Sequence, residues 1–182
     1  MGSASPKRSP KFFAQAYGMF SPELLAAAAS LLESCRAAKW TIATAESCTG
    51  GLVAGLLTDI PGASDVFDRG FVTYSNAAKT AMLGVSQSLI TVHGAVSAEV
   101  ARAMAEGALL HSPADLAIAI TGVAGPSGGT PEKPVGLVYF AAMRKGQPAT
   151  VRMFHFPAGS RQAIRMSCVH MAIALLDEVS RE

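Results

Sequence analysis

Apolar residues recur along this chain with two different periods, and the switching between them predicts its architecture. Leu24, Leu25, Ala28, Leu31 and Leu32 fall at helical spacing behind Ser21, Pro22 and Glu23, which supply an N-cap, a first-position proline and a first-turn acid. Residues 40–45 and 116–121 are instead short apolar runs rich in β-branched residues, as expected of buried strands. A helix over about 50–58, closed by Asp59-Ile60-Pro61-Gly62, separates the first of these from a second strand at 66–74, and a helix over 76–83 follows. A loop is then expected through Gly84 and Val92-His93-Gly94, ending at Ser97, which caps a helix with Glu99 in its first turn and Val100, Met104 and Ala108 on one face. Residues 135–143 and 150–156 read as a hairpin joined by Arg144-Lys145-Gly146-Gln147-Pro148, and 159–179 as a closing helix with Ile164, Cys168, Met171, Leu175 and Val179 apolar. Strands interleaved with helices predict a three-layer α/β/α sandwich around a mixed, mostly parallel sheet of about five strands, with an antiparallel edge hairpin.

Composition narrows the setting. Half of the 182 residues are hydrophobic, enough for one ordered domain over residues 21–182 that needs no disulfide or metal staple. Residues 1–20, with Pro6, Pro10, Gly18 and scattered charge, read as a mobile N-terminal extension. The positive excess is local: Lys7, Arg8 and Lys11 lie in the first eleven residues, and without them twelve basic residues face thirteen acidic ones. A body so close to neutral gives no sign of a nucleic-acid groove. No apolar run approaches the length of a bilayer span, so no membrane partner is expected. Cys35, Cys48 and Cys168 form no C-x-x-C pair, which fits a reducing, cytoplasmic location. The four histidines have no metal-ligand spacing, and no metal site or cofactor is predicted. Apolar richness at 98–110 and 163–176 leaves room for a homodimer interface.

Candidate chemistry gathers at two glycine-bearing loops, each after an apolar strand. The first is Ala45-Glu46-Ser47-Cys48-Thr49-Gly50-Gly51, where the N–H groups of Thr49, Gly50 and Gly51 are expected to point at bound negative charge. Ser47 is a nucleophile if a base is in reach and a helix cap if none is. Cys48 competes as a thiol at a helix start or as a small buried hydrophobe. Glu46 is an acid or base, or the partner of a lysine or of helix amides. Lys79, in Tyr74-Ser75-Asn76-Ala77-Ala78-Lys79, can serve as a general base when desolvated, or can simply be a solvated helix lysine. The second loop, Thr121-Gly122-Val123-Ala124-Gly125-Pro126-Ser127-Gly128-Gly129, has neither a Walker A ending nor the dinucleotide fingerprint, and reads as a phosphate or carboxylate cradle or as a long connector. Arg161 and Arg165 share a helix face and can grip a phosphate together or face solvent.

Taken jointly, these segments resemble the CinA carboxy-terminal family of nicotinamide-nucleotide amidases. The matching stretches are Thr44–Gly51, Gly70–Asn76 with Lys79, Leu83-Gly84-Val85, His93–Ser97, Thr121–Pro126 with Gly128-Gly129, and Lys133–Gly136, in the family's order across roughly 22–180. The resemblance implies hydrolysis of the carboxamide of nicotinamide mononucleotide to nicotinate mononucleotide and ammonia, without metal or organic cofactor. It assigns Ser47 as nucleophile, with Lys79 and Tyr74 assisting proton transfer. Substrate contacts are then expected from Thr49, Gly50, Gly51, Asn76, Thr121, Gly122, Ala124, Gly125, Arg161 and Arg165. One departure is Gly159-Ser160-Arg161, where family members often have Gly-Asp-Arg. This sequence carries no counterpart of the large amino-terminal domain of two-domain members, so the pyrophosphatase activity tied to that domain is not expected. The reading from another class is a non-catalytic nucleotide-binding or regulatory module linked to competence or the DNA-damage response.

Overall fold

A computed structural model describes residues 18–157 and 159–181, so the predicted extension falls outside the described residues except at its end. There Phe20 is buried in the core, against the expectation that order begins at Ser21.

The helix α1 (Pro22–Ala38) starts as its sequence dictates, with Ser21 Oγ accepting from Leu24 N–H, and ends on Lys39 in the left-handed conformation. The strand β1 (Ile42–Glu46) runs into α2 (Leu52–Thr58), then β2 (Phe67–Val72) into α3 (Asn76–Leu83). The next segment corrects the sequence reading. Residues expected to be loop form α4 (Gln87–His93), capped by Ser86 Oγ on Leu89 N–H and anchored by Ile90, the one buried side chain of the helix. Then come α5 (Ala98–Leu110), β3 (Leu116–Gly122), the hairpin β4 (Leu137–Arg144) and β5 (Thr150–His155), and α6 (Arg161–Arg181).

The sheet order is β2-β1-β3-β4-β5, with β1 parallel to both β2 and β3 and the β4–β5 hairpin added antiparallel at the edge. Its two faces differ in side-chain size. Ile42, Leu116, Ile118, Ile120, Val138 and Phe140 point to the layer of α1, α2 and α6. Alternate positions, Ala43, Ala45, Ala117, Ala119 and Ala141, point to the layer containing α5, whose Val100, Ala101, Met104 and Ala108 lie against them. Close approach continues outward, because a Cβ built on Gly107 of α5 would overlap the Leu83 carbonyl at the end of α3. Gly107→Ala is therefore expected to lower stability by about 2 kcal/mol net of its helix-propensity gain, a Tm fall of roughly 6 °C in a thermal melt.

With β1, β2 and β3 parallel, their carboxyl ends come to one edge, and α2 and α3 leave that edge on opposite faces. An open α/β sheet forms its ligand crevice at such a place.

Candidate active site

The chain leaves β1 with Glu46 inside the protein and Ser47 at the crevice. Ser47 N–H donates to the Ile120 carbonyl of β3, while Thr73 N–H, just past β2, donates to the Glu46 carbonyl. The nucleophile candidate is thus fixed between two strands before its side chain is considered.

Glu46 resolves its own ambiguity. Its buried carboxylate accepts from Gly51 N–H (3.0 Å), Val53 N–H (3.1 Å) and Ala54 N–H (2.9 Å), with Thr44 Oγ1 at 3.2 Å. The unsatisfied amides that open α2 are consumed by the protein's own anion. Glu46→Ala is expected to cost on the order of 3 kcal/mol in urea unfolding, because those amides are left buried without an acceptor, and Glu46→Gln, which keeps one acceptor, to cost less. Gly50 N–H is likewise spent, donating to the Ser47 carbonyl at 3.1 Å. Two of the three amides expected to face an anion, those of Gly50 and Gly51, therefore face the protein. The N–H groups of Cys48 and Thr49 have no backbone acceptor among the described residues.

Lys79 is the most telling side chain. It stands in α3 yet is 1% exposed, and its Nζ lies 3.0 Å from Ser47 Oγ and donates to the Thr73 carbonyl at 2.8 Å. Among the described residues no carboxylate is bonded to it, and burial pushes its pKa below the ordinary lysine value, with Cys48 a smaller, opposing influence. Ser75 Oγ caps α3 on Ala78 N–H and sets the helical phase that turns Lys79 inward. The Cys48 thiol is also buried, and its pKa is lowered, first because the Cys168 thiol donates toward it, whereas that of Cys168 is raised by the same contact. A carbonyl and a serine, not a thiol, hold the lysine.

A cavity of about 290 Å3 opens over this pair, near the lower end of the ~300–1,000 Å3 usual for small-molecule sites. It brings together the expected residues Ser47, Tyr74, Asn76, Lys79, Thr121, Gly122, Ala124, Gly125 and Arg161. Tyr74 is 61% exposed, and its hydroxyl accepts from Arg161 Nη2 at 2.8 Å, while Arg161 Nη1 donates to the Gly125 carbonyl at 2.7 Å. Tyr74 is thus held by Arg161, and the recorded partners of Lys79 are Ser47 and Thr73. Thr49, Gly50, Gly51 and Arg165 are not in the lining. Arg165 reaches the far side of the serine turn, where its Nη2 donates to the Thr49 carbonyl at 2.6 Å.

Three contributors escaped the sequence reading of side chains. Thr73 acts through its carbonyl, which no residue type announces. Ala95 and Val96 line the cavity, and the Ala95 carbonyl accepts from Thr121 Oγ1 at 2.7 Å. The His93–Ser97 motif was their only signal. Among the described residues no helix is long and apolar enough to cross a membrane.

Comparison with known proteins places this geometry among relatives. Residues 25–180 match the model of the CinA C-terminal domain. A CinA-like protein of Akkermansia muciniphila is 52% identical over 141 residues, which cover 77% of this chain and 34% of that protein. A putative competence-damage inducible protein of Symbiobacterium thermophilum is 63% identical over 107 residues, 59% of this chain and 25% of that one. The chain thus spans about a third or less of these relatives' length. Among solved structures, the competence/damage inducible protein CihA from Agrobacterium tumefaciens superposes with a TM-score of 0.87 at 42% identity, covering 90% of this chain and 98% of that one. A CinA superfamily protein from Escherichia coli gives 0.82 at 36% identity, covering 88% and 93%.

Proposed function

This chain belongs to the CinA C-terminal domain family, and from that premise we propose that it is a serine amidohydrolase, hydrolysing the carboxamide of nicotinamide mononucleotide to nicotinate mononucleotide and ammonia without a metal. The observation that carries the reading is the buried Lys79 Nζ at 3.0 Å from Ser47 Oγ on the floor of a cavity. Burial lowers the pKa of this lysine and so favours its neutral amine, the form that can accept a proton from serine.

In this reading Ser47 Oγ attacks the carboxamide carbon and its proton passes to Lys79. The oxyanion is met by the N–H group of Cys48, which lines the cavity beside Ser47 and is engaged by no backbone carbonyl among the described residues. Collapse breaks the C–N bond as Lys79 returns the proton to the departing nitrogen, releasing ammonia. Water then attacks the acyl-serine as Lys79 takes its proton, the C–Oγ bond breaks, Lys79 returns the proton to Ser47 Oγ, and the acid leaves. Arg161, Asn76 and the loop Thr121–Gly125 flank the remainder of the substrate, and Arg161, the arginine lining the cavity, supplies the positive charge for its phosphate. Tyr74 is the hydroxyl that orients Arg161.

The test is ammonia release from nicotinamide mononucleotide by the purified protein with a chelator present. Turnover that persists in Cys48→Ala is the expected result. No turnover across pH 6–10 in the parent would overturn the amidase reading and favour a nucleotide-binding module.

A further inference from the structure

We propose that Arg165 is a positioning residue for the nucleophile and not a ligand of the substrate; the inference rests on Ser47 being the nucleophile. Arg161 and Arg165 stand one helical turn apart on α6, and both were candidates for one phosphate. The structure gives them different partners, although both also line a second cavity of about 340 Å3 beside Leu52, Gln162 and Met166. Arg161 enters the cavity over Ser47 and Lys79, whereas Arg165 does not line that cavity, and its buried Nε has no acceptor among the described residues.

What Arg165 touches is one peptide group. The peptide between Thr49 and Gly50 is held at both ends: its carbonyl accepts from Arg165 Nη2 at 2.6 Å, and its N–H donates to the Ser47 carbonyl at 3.1 Å. A guanidinium on the carbonyl polarises that peptide and strengthens the bond its N–H makes. The chain of contacts therefore runs from α6, through a single peptide plane, to the backbone of the residue bearing the attacking oxygen. Two further features keep the plane from rotating. Gly50 has φ +61°, and a Cβ added there would lie 3.3 Å from Arg165 Nη2, so the end of the guanidinium sits close against the turn. On the other side Gly51 N–H is tied to Glu46 Oε2 at 3.0 Å. With the Gly50 and Gly51 amides committed, the Cys48 N–H is left without a backbone acceptor at the cavity, on the turn the same clamp holds. Arg165 thus sets Ser47 Oγ against Lys79 and the Cys48 N–H toward the developing oxyanion, while making no contact with Lys79 itself.

The experiment reads Ser47 without any nucleotide. Methanesulfonyl fluoride transfers its sulfonyl group to serine: the Oγ–S bond forms, the S–F bond breaks, fluoride leaves, and the serine proton goes to the base. The labelling rate at Ser47 is followed by intact mass and peptide mapping for the parent, Arg165→Met and Arg165→Lys, alongside kcat and KM for nicotinamide mononucleotide and for its phosphate-free nucleoside. Labelling and kcat of Arg165→Met are expected to fall about 10–100-fold together, with KM for both substrates changed less than about 3-fold and partial recovery in Arg165→Lys. Unchanged labelling with a raised KM for the phosphorylated substrate alone would overturn the proposal and make Arg165 a phosphate ligand. Should the methionine variant fail to fold, Arg165→Gln replaces it, keeping a donor without the charge; parent-like labelling there also overturns the proposal. A parent that is not labelled at Ser47 removes the nucleophile reading itself, and this inference with it.

Discussion

Ser47→Ala is expected to lower ammonia release by at least about 10^3-fold while leaving nicotinamide mononucleotide bound within about 3-fold of the parent affinity. The hydroxyl is small and sits at the end of β1, so its removal leaves the cavity walls in place. The backbone bonds of Ser47, from its N–H to Ile120 and to its carbonyl from Gly50, do not involve the side chain. Calorimetric titration beside a turnover assay separates the two effects. Full activity in Ser47→Ala would move the chemistry to Cys48, the next residue and the second buried nucleophile of the cavity. The structure argues against that, because the lysine is bonded to the serine oxygen.

Lys79→Met is expected to cost about 10^2–10^4-fold in kcat/KM, the range for loss of a positioned base, and to change the pH dependence of stability. For the parent, activity rises with pH, since the neutral amine is the base, and the limb lies below the ordinary lysine value of about 10.4 because burial disfavours the charged form. Stability has the same sign. The unfolded chain binds a proton at Lys79 more readily than the folded one between the lowered folded pKa and about 10.4, so unfolding is favoured there by protonation. The cost of burying the amine is absent above the unfolded pKa and grows as pH falls toward the folded one. The Tm of the parent relative to Lys79→Met should therefore climb as pH rises toward the unfolded value of about 10.4, as read by thermal melts. A difference that stays flat would mean Lys79 is charged in the folded state, which would remove the base from the mechanism.

Much of the frame is written in local sequence. Ser21-Pro22-Glu23 and Ser97 cap the helices they were expected to cap, and the apolar runs of β1 and β3 are central strands buried on both faces. The segment 84–96 misleads because β-branched residues between two glycines look like a connector. A serine cap and one packed isoleucine suffice to make its middle a helix. The site is legible residue by residue but not as a relation. Ser47 and Lys79 are separated by 32 positions, and their contact depends on parallel pairing of β1 with β2, which no spacing encodes. The family motifs supplied that relation before the geometry did. The two arginines show the limit most clearly: helical periodicity puts them on one face, yet that face meets the Gly125 carbonyl and Tyr74 hydroxyl at one turn and the Thr49 carbonyl at the next.

The unequal faces of the sheet bear on how variation among relatives should be read. Ala43, Ala45, Ala117, Ala119 and Ala141 are fully buried in the layer of α5, and in a close-packed layer a larger side chain there must push against its neighbours whatever the protein catalyses. Invariance at those columns of an alignment would record the nearness of a helix. Thr73 offers the opposite case, because it serves through its carbonyl and its buried Oγ1 has no partner. Drift at that column would be compatible with an unaltered active centre, and a search that ranks positions by constancy would pass over an atom the lysine depends on.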